Sequence, residues 1–278
     1  MQLTPRYGND PVITLDGSPA AVAGPVVRQR KRLAAALADF TDEQWLHPSR
    51  CAGWSARDVI VHLSSTNSFW THSIATAVRG EPTRFLVRFD PVASPAQLVA
   101  GSGALSPAEV LDGFTASTDA LVRVLGSLGD DEWTALAEAP PGHISVSAVA
   151  HHALWDAWVH ERDILIPLGI RPAEEADEVV ACLRYVAGLG PALAHNRGMT
   201  RSGTLAIETT GPEVSILVEV GDRVVVRDGT ASTGLRLIGD AVELVEALSL
   251  RRPLGRSIPA EHAWLLSGLS ETFDVVPG

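Results

Sequence analysis

The sequence is poor in cysteine and has no long hydrophobic run. Its 278 residues include two cysteines, Cys51 and Cys182, which form no C-x-x-C pair. No stretch of about 18 apolar residues is present, so the sequence predicts no transmembrane helix. Residues 1–25 also lack the apolar core beside a cationic start that marks a secretory signal. These absences predict a cytoplasmic protein with reduced thiols and no membrane partner.

Positive charge is also scarce. Lysine and arginine total 22 against 33 acidic residues, which gives a formal net charge of −11. The densest basic run, residues 28–32, opens an amphipathic helix and is interpreted as a solvated face. Because a nucleic-acid surface needs a basic stripe, the composition argues against DNA or RNA partners.

Two familiar catalytic motifs are missing. The sequence contains no G-x-S-x-G, and its Gly101-Ser102-Gly103 segment follows no predicted strand, which argues against a dinucleotide-binding loop. Cys51 is interpreted as a small buried residue beside the turn at Gly53, although a nucleophilic role stays open because a helix begins close by.

Helical periodicity dominates the first two thirds of the chain. The predicted helices cover residues 25–40, 55–78, 106–128, 145–168 and 172–188. Ser55 with Asp58, and Ser106 with Glu109, have the spacing of capping boxes at helix starts. Two segments are predicted to be connections without regular structure, and the first is interpreted as a lid or pocket wall. These connections are residues 81–105 and 130–142.

The pattern changes to alternation near residues 196–202, where short strands replace helices. Predicted strands cover residues 204–209, 214–220, 223–227 and 235–238, and predicted helices follow at 241–249 and 257–268. We therefore predict a mostly α fold in which a helical bundle precedes a small α+β domain. The predicted parts are an N-terminal arm at 1–24, the bundle at 25–198 and the C-terminal domain at 199–278.

Three side chains from two distant helices have the character of a catalytic metal site. Asp156 and His160 are four residues apart and share one helix face, and His62 lies beside the buried face of another helix. Asp156 stands between Trp155 and Trp158, and a buried carboxylate needs a partner such as a metal ion or an arginine. Two imidazoles and one carboxylate leave a position open on tetrahedral zinc, as in catalytic sites.

Other interpretations of these residues stay open. A single histidine such as His62 is commonly a hydrogen-bonded core residue. His152 precedes Asp156 by one helical turn, so it is a candidate fourth ligand or a supporting donor.

Two segments resemble the motifs of the mycothiol-dependent maleylpyruvate isomerase family, within the DinB-like superfamily. They are G-W-x-x-R-D-x-x-x-H-L at residues 53–63 and D-x-x-x-H-x-x-D at residues 156–163. Residues 239–252, which run from G-D-A to L-R-R, are similar to part of the sterol-carrier-like domain that many members carry. The resemblance covers the chain from about residue 25.

The resemblance implies a DinB-like four-helix bundle that binds a divalent metal, usually zinc, through His62, Asp156 and His160. The family often has glutamate where Asp156 stands, and the shorter side chain draws the carboxylate back. Asp163 would orient His160 as a hydrogen-bond partner. The alternative interpretation of Asp163 is a surface ion pair with Arg162 or Arg184.

Further residues are candidates for binding the substrate or the thiol. An arginine can hold a substrate carboxylate through two parallel hydrogen bonds, and a tryptophan can form an apolar wall. The candidates are Arg57, Arg197, Arg201, Arg236, Arg251 and Trp155.

The implied function is an isomerase or S-transferase that uses mycothiol or a similar low-molecular-weight thiol. Zinc deprotonates a bound thiol, and the thiolate adds to an activated double bond or displaces a leaving group. The implied partners are this thiol and a small electrophilic metabolite, with the chain a monomer or homodimer. Two alternatives stay open: a metal-dependent hydrolase or cyclase of specialised metabolism, and a small-ligand-binding protein without catalysis.

Overall fold

The computed structural model describes residues 3–273 of the chain. The first two residues of the predicted arm and the last five of the predicted C-terminal domain lie outside this range. Within it, the chain is mostly helical up to residue 196 and then forms a sheet with accompanying helices, which confirms the predicted fold class. No helix among the described residues is both long enough and apolar enough to cross a membrane.

Four helices form a bundle in the first part of the chain. The helices before residue 200 are α1 (Ala23–Ala38), α2 (Asp42–Leu46), α3 (Ala56–Ala77), α4 (Ala93–Gly101), α5 (Pro107–Gly126), α6 (Val146–Leu165) and α7 (Ala176–Asn196). In the bundle, α1 and α3 each pack against both α5 and α6. Leu33, Ile60, Phe114 and Ala157 are fully buried between these helices and supply part of its core.

Side-chain caps determine where two of these helices begin. Ser55 accepts a hydrogen bond from the backbone N–H of Asp58, and Asp58 accepts one from the N–H of Ser55. Ser106 and Glu109 form the same reciprocal pair at the start of α5. Both predicted capping boxes are confirmed, because each pair satisfies N–H groups that a helix start otherwise leaves without partners.

The strands form a five-stranded sheet, which makes up most of the C-terminal part, and a separate two-stranded hairpin of β2 and β3. The strands are β1 (Ile13–Leu15), β2 (Leu136–Ala139), β3 (Gly142–Ser145), β4 (Gly203–Thr209), β5 (Ser215–Val220), β6 (Val224–Asp228) and β7 (Leu235–Gly239). The five-stranded sheet has the order β1-β6-β5-β4-β7, in which β4, β5 and β6 are antiparallel neighbours and both edge strands run parallel to theirs. Helices α8 (Ala241–Leu248) and α9 (Trp264–Phe273) accompany it.

Three short elements differ from the prediction. β1 lies within the predicted arm, and its three residues are too few to show an alternating pattern. The β2–β3 hairpin, with four residues in each strand, occupies much of the segment predicted as a loop at 130–142. Helix α4 lies inside the connection at 81–105, where Pro and Gly hide its periodicity.

Helix α7 joins the two parts of the structure. It packs against α6, against α8 and α9 and against the sheet, and it continues past Gly188, where the sequence predicted its end. Glycine in α9 permits its close packing against α7, since a Cβ atom added at Gly268 of α9 would overlap the carbonyl oxygen of Gly190 of α7. The predicted domain boundaries stay a prediction, because α7 contacts elements on both sides of them.

Replacing Gly268 by alanine is expected to lower the free energy of unfolding by about 1–3 kcal/mol, because the added methyl group meets backbone atoms that cannot move aside. The matched control is Gly113→Ala in α5, where an added Cβ meets no atom within 4 Å. That variant is expected to gain roughly 0.5–1 kcal/mol from its better helix propensity. Chemical denaturation measures both, and wild-type stability in Gly268→Ala would contradict the close contact of α7 and α9.

Candidate metal centre

The structure brings the three predicted ligands together. The donor atoms of His62, Asp156 and His160 lie within 4.8 Å of one another. Oδ1 of Asp156 is 3.6 Å from Nε2 of His160 and 3.9 Å from Nε2 of His62. Two bonds of about 2.1 Å to one ion span at most about 4.2 Å, so both distances permit a shared zinc ion. Ligation itself stays a prediction.

The register of α3 against α6 produces this convergence. Residues spaced by four on α3 face residues spaced by four on α6. The rings of His62 and His160 meet with centroids 5.0 Å apart, and one turn further Oγ1 of Thr66 donates to Oδ2 of Asp156 at 3.4 Å. The side chains of the three predicted ligands are 11–14% exposed, so the site is largely shielded from water without being closed.

Asp163 fixes the orientation of the His160 ring. Its Oδ2 lies 3.0 Å from Nδ1 of His160, and the carboxylate is completely buried. When the N–H at Nδ1 donates to this carboxylate, Nε2 is the ring nitrogen directed towards Asp156 and His62, and it can bind a metal ion once that ion has displaced its proton. Metal-binding histidines are commonly supported in this way by a carboxylate behind the ring. The position of Asp163 therefore suits the orienting role that the family resemblance implies.

Two arginines neutralise Asp163. Nε and Nη2 of Arg251 donate to its two oxygens at 2.9 and 2.8 Å, and Nε of Arg50 donates to Oδ1 at 3.0 Å. Burial opposes ionisation of Asp163, but the hydrogen bond and charge of His160 and the contacts of Arg251 outweigh it and hold its pKa well below the usual range.

The two arginines of the alternative interpretation, in which Asp163 forms a surface ion pair, have other partners in the structure. Arg162 pairs with Glu174 and Glu246, and Arg184 with Asp16 and Asp228.

The electrostatics of the centre favour a cation. Burial disfavours the ionised form of Asp156, but its interactions with the nearby His62 and His160 rings outweigh it and hold its pKa below the usual range. Burial also disfavours protonated His160, yet Cys51, Asp163 and Asp156 outweigh it and raise the pKa of His160 to about 10. Surroundings that stabilise an imidazolium also stabilise a metal ion, which displaces the proton when it binds.

The sequence leaves a role for Cys51 open but does not place it in this centre. Its Sγ lies 3.5 Å from Nδ1 of His160 and donates to Oδ2 of Asp163 at 3.2 Å. Cys51, His160 and Asp163 therefore form a second group of clustered ligand atoms. Arg50 and Arg251 already occupy the carboxylate of Asp163, whereas Nε2 of His160 faces Asp156 and lies beside the His62 ring. The available sequence signal was the position of Cys51 just before the first motif.

His152 packs near the ligands without joining them. The hydroxyl of Tyr185 lies 2.6 Å from its Nδ1, and the ring meets the edge of Trp155. Burial lowers the pKa of His152 to about 4 although the charge of Asp156 opposes it, so the ring is neutral at pH 7. It belongs to neither group of clustered ligand atoms within residues 3–273, so the structure gives a fourth-ligand role no support.

The predicted binding residues have different surroundings. Trp155 is buried, and its Nε1 donates to Oγ of Ser249 at 2.8 Å, two residues before Arg251. Nε of Arg57 donates to the carbonyl oxygen of Leu105 at 3.1 Å and therefore connects α3 to the segment that follows α4. The remaining predicted arginines have partners in the C-terminal part of the chain. Arg197 pairs with Glu271, Arg201 donates to the carbonyl oxygen of Glu261, and Arg236 pairs with Glu208.

A comparison with known protein families identifies the family of this chain. The profile of the family described as "Mycothiol maleylpyruvate isomerase N-terminal domain" matches residues 26–165, just over half of the chain. The chain belongs to this family. Both motifs, at residues 53–63 and 156–163, lie within the matched region and supply the clustered histidines and aspartate. The resemblance stated from the sequence is confirmed.

Solved structures show that the fold of this family member is shared beyond the matched region. The crystal structure of the mycothiol-dependent maleylpyruvate isomerase superposes with a TM-score of 0.60 at 12% identity, covering 83% of this chain and 88% of that chain. A histidine-to-alanine mutant of the isomerase gives a TM-score of 0.59 at 11% identity with the same coverage. Similarity at such identities establishes the fold alone. A search of curated proteins found no match.

Proposed function

We propose that this chain is a metal-dependent and thiol-dependent isomerase or S-transferase that acts on a small electrophilic metabolite. The observation that carries the proposal is the clustering of His62, Asp156 and His160, with Asp163 behind His160. Three ligands leave one position of a tetrahedral ion for an incoming group. Membership of the family supports a thiol as that group, either mycothiol or a similar small thiol.

The donor set suits zinc. Two imidazole nitrogens and one carboxylate oxygen form one of the sets that hold catalytic zinc. The carboxylate belongs to Asp156, whereas a glutamate is frequent at this position in the family. A zinc ion bound here would lower the pKa of a coordinated thiol, so that a thiolate is present at neutral pH.

The chain's own residues hold the site in its working geometry. Asp163 accepts a hydrogen bond from Nδ1 of His160, so Nε2 is the nitrogen that would bind the metal after its proton is displaced. Thr66 donates to Oδ2 of Asp156, which leaves Oδ1 directed at the two histidines. The ring of Trp54 lies 5.4 Å from that of His62 and provides an apolar wall that restricts the access of water.

The substrate class follows from the nucleophile. A thiolate reacts with an electron-poor double bond or with a carbon that bears a leaving group, so we propose an unsaturated or otherwise activated metabolite. We include in the proposal a cytoplasmic setting with reduced thiols, a monomer or homodimer, and no nucleic-acid or membrane partner.

Turnover assays with zinc-loaded protein test this function. We expect isomerisation of maleylpyruvate, or sulfur transfer to a chlorodinitroarene, that requires both zinc and mycothiol and falls to background when either is omitted. His62→Ala is expected to be inactive. The matched control on the same helix is His72→Ala, whose ring stacks on Phe85 outside the ligand cluster, and it is expected to keep full activity. Zinc-dependent ester hydrolysis without thiol would instead indicate a water-activating hydrolase.

A further inference from the structure

The chain leaves helix α8 in an unusual conformation that directs Arg251 towards the metal centre. The N–H of Arg251 donates to the carbonyl oxygen of Glu246 at 2.8 Å, and that of Leu250 donates to Ala247 at 3.1 Å. These bonds close the helix end in the manner of a Schellman motif, in which glycine normally occupies the left-handed position. Leucine occupies it here, with a φ of 61° at Leu250.

A leucine in the left-handed region is strained, and such strain persists where surrounding contacts over-determine the backbone. The residues on both sides of Leu250 make side-chain contacts that constrain the backbone in this way. Trp155 of α6 holds the side chain of Ser249, and Asp163 of α6 holds the side chain of Arg251. The strained residue therefore lies between two anchors that both attach the end of α8 to the helix carrying Asp156 and His160.

One edge of the Arg251 guanidinium is occupied by Asp163. Its Nε and Nη2 reach both carboxylate oxygens, and its Nη1 donates to the carbonyl oxygen of Ser249 at 3.3 Å. A substrate carboxylate would have to displace the buried Asp163 to bind the same edge. Arg50 adds a second link, since it donates to Asp163 and also to Glu246 of α8 at 3.0 Å.

We infer that Arg251 is a positioning residue for the metal ion: by clamping Asp163 it fixes the His160 ring, so that the C-terminal part of the chain sets the metal affinity of the helical bundle. The inference rests on the proposed function, because it uses the same metal site. A planar guanidinium that binds both oxygens fixes the direction of a carboxylate, which a single charge does not. This role replaces the substrate-binding role predicted for Arg251 from the sequence.

Zinc affinity of the full chain, measured by competition with a chromophoric chelator, tests this role. Arg251→Ala is expected to weaken zinc binding about tenfold, the lower end of the roughly 10–100-fold loss that follows removal of supporting partners. Arg251→Lys restores the charge without the fork and is expected to recover only part of the loss. The control variant Arg252→Ala removes the neighbouring arginine, which pairs with Glu243, and is expected to leave zinc affinity unchanged.

The outcomes separate the two proposals. Unchanged zinc affinity in folded Arg251→Ala, beside a wild type that binds zinc, overturns the positioning role and leaves the metal site in place. A raised KM with unchanged zinc affinity assigns Arg251 to the substrate and also overturns it. A wild type that binds no zinc overturns the metal site and the inference together. If Arg251→Ala does not fold, the comparison of Arg251→Lys with wild type decides, and equal zinc affinities overturn the inference.

Discussion

Replacing His160 by alanine is expected to abolish stoichiometric zinc binding. The wild type is expected to carry about one zinc per chain, since its three ligands form one site. The substitution removes a ligand and also the ring through which Asp163 supports the site. The loss should therefore exceed the roughly 10–100-fold effect of losing a supporting partner alone. Elemental analysis after dialysis against metal-free buffer measures the difference.

The control for this prediction is a histidine outside the cluster. His72→Ala changes the same residue type on α3, and its zinc content is expected to equal that of the wild type. Circular dichroism of both variants verifies that the helices remain folded. Equal zinc in His160→Ala and in the wild type would remove His160 from the proposed ligand set.

Replacing Asp163 by asparagine is expected to destabilise the apo protein by about 3–5 kcal/mol, the typical cost of removing one partner from a buried ion pair. Arg50 and Arg251, whose side chains are 21% and 24% exposed, then lose the carboxylate that neutralises them. Urea denaturation measures the change. The matched control is Asp131→Asn, since Asp131 is exposed, and that variant is expected to stay within about 0.5 kcal/mol of the wild type.

The pH dependence of stability provides a second readout for Asp163. Because its pKa lies below the unfolded value of about 3.9, the carboxylate stabilises the fold above that pH and loses this effect as the pH falls. The free energy of unfolding of the wild type should therefore decrease from about pH 5 downwards. Asp163→Asn should show a shallower decrease, and parallel curves for the two proteins would contradict a salt-bridged Asp163.

The fold was largely predictable because its main elements carry local signals. The capping boxes at Ser55 and Ser106 marked helix starts, and the alternating segments after residue 200 marked strands. The elements that were missed are short or depend on distant partners. β1 has three residues and is held by β6, more than 200 residues later in the chain, so nothing within the arm itself identified it.

The candidate site likewise contains residues with a local sequence signal and residues that only tertiary packing brings in. His62, Asp156 and His160 carry a signal because their spacing on two helices suits one ion, and the structure brings them together. The two arginines that bind Asp163 carry no such signal. Arg50 and Arg251 lie 113 and 88 residues away from it along the chain, and tertiary packing alone selects them. For the same reason the sequence could not rank Arg251 above the other predicted arginines.

X-ray absorption at the zinc edge tests most directly whether the three side chains share one ion with a position left for sulfur. We expect a first shell of nitrogen and oxygen without sulfur in the thiol-free protein. We expect one added zinc–sulfur distance of about 2.3 Å when mycothiol is supplied. Sulfur in the thiol-free protein would instead place Cys51 on the metal. An unchanged first shell under saturating mycothiol would contradict the open position.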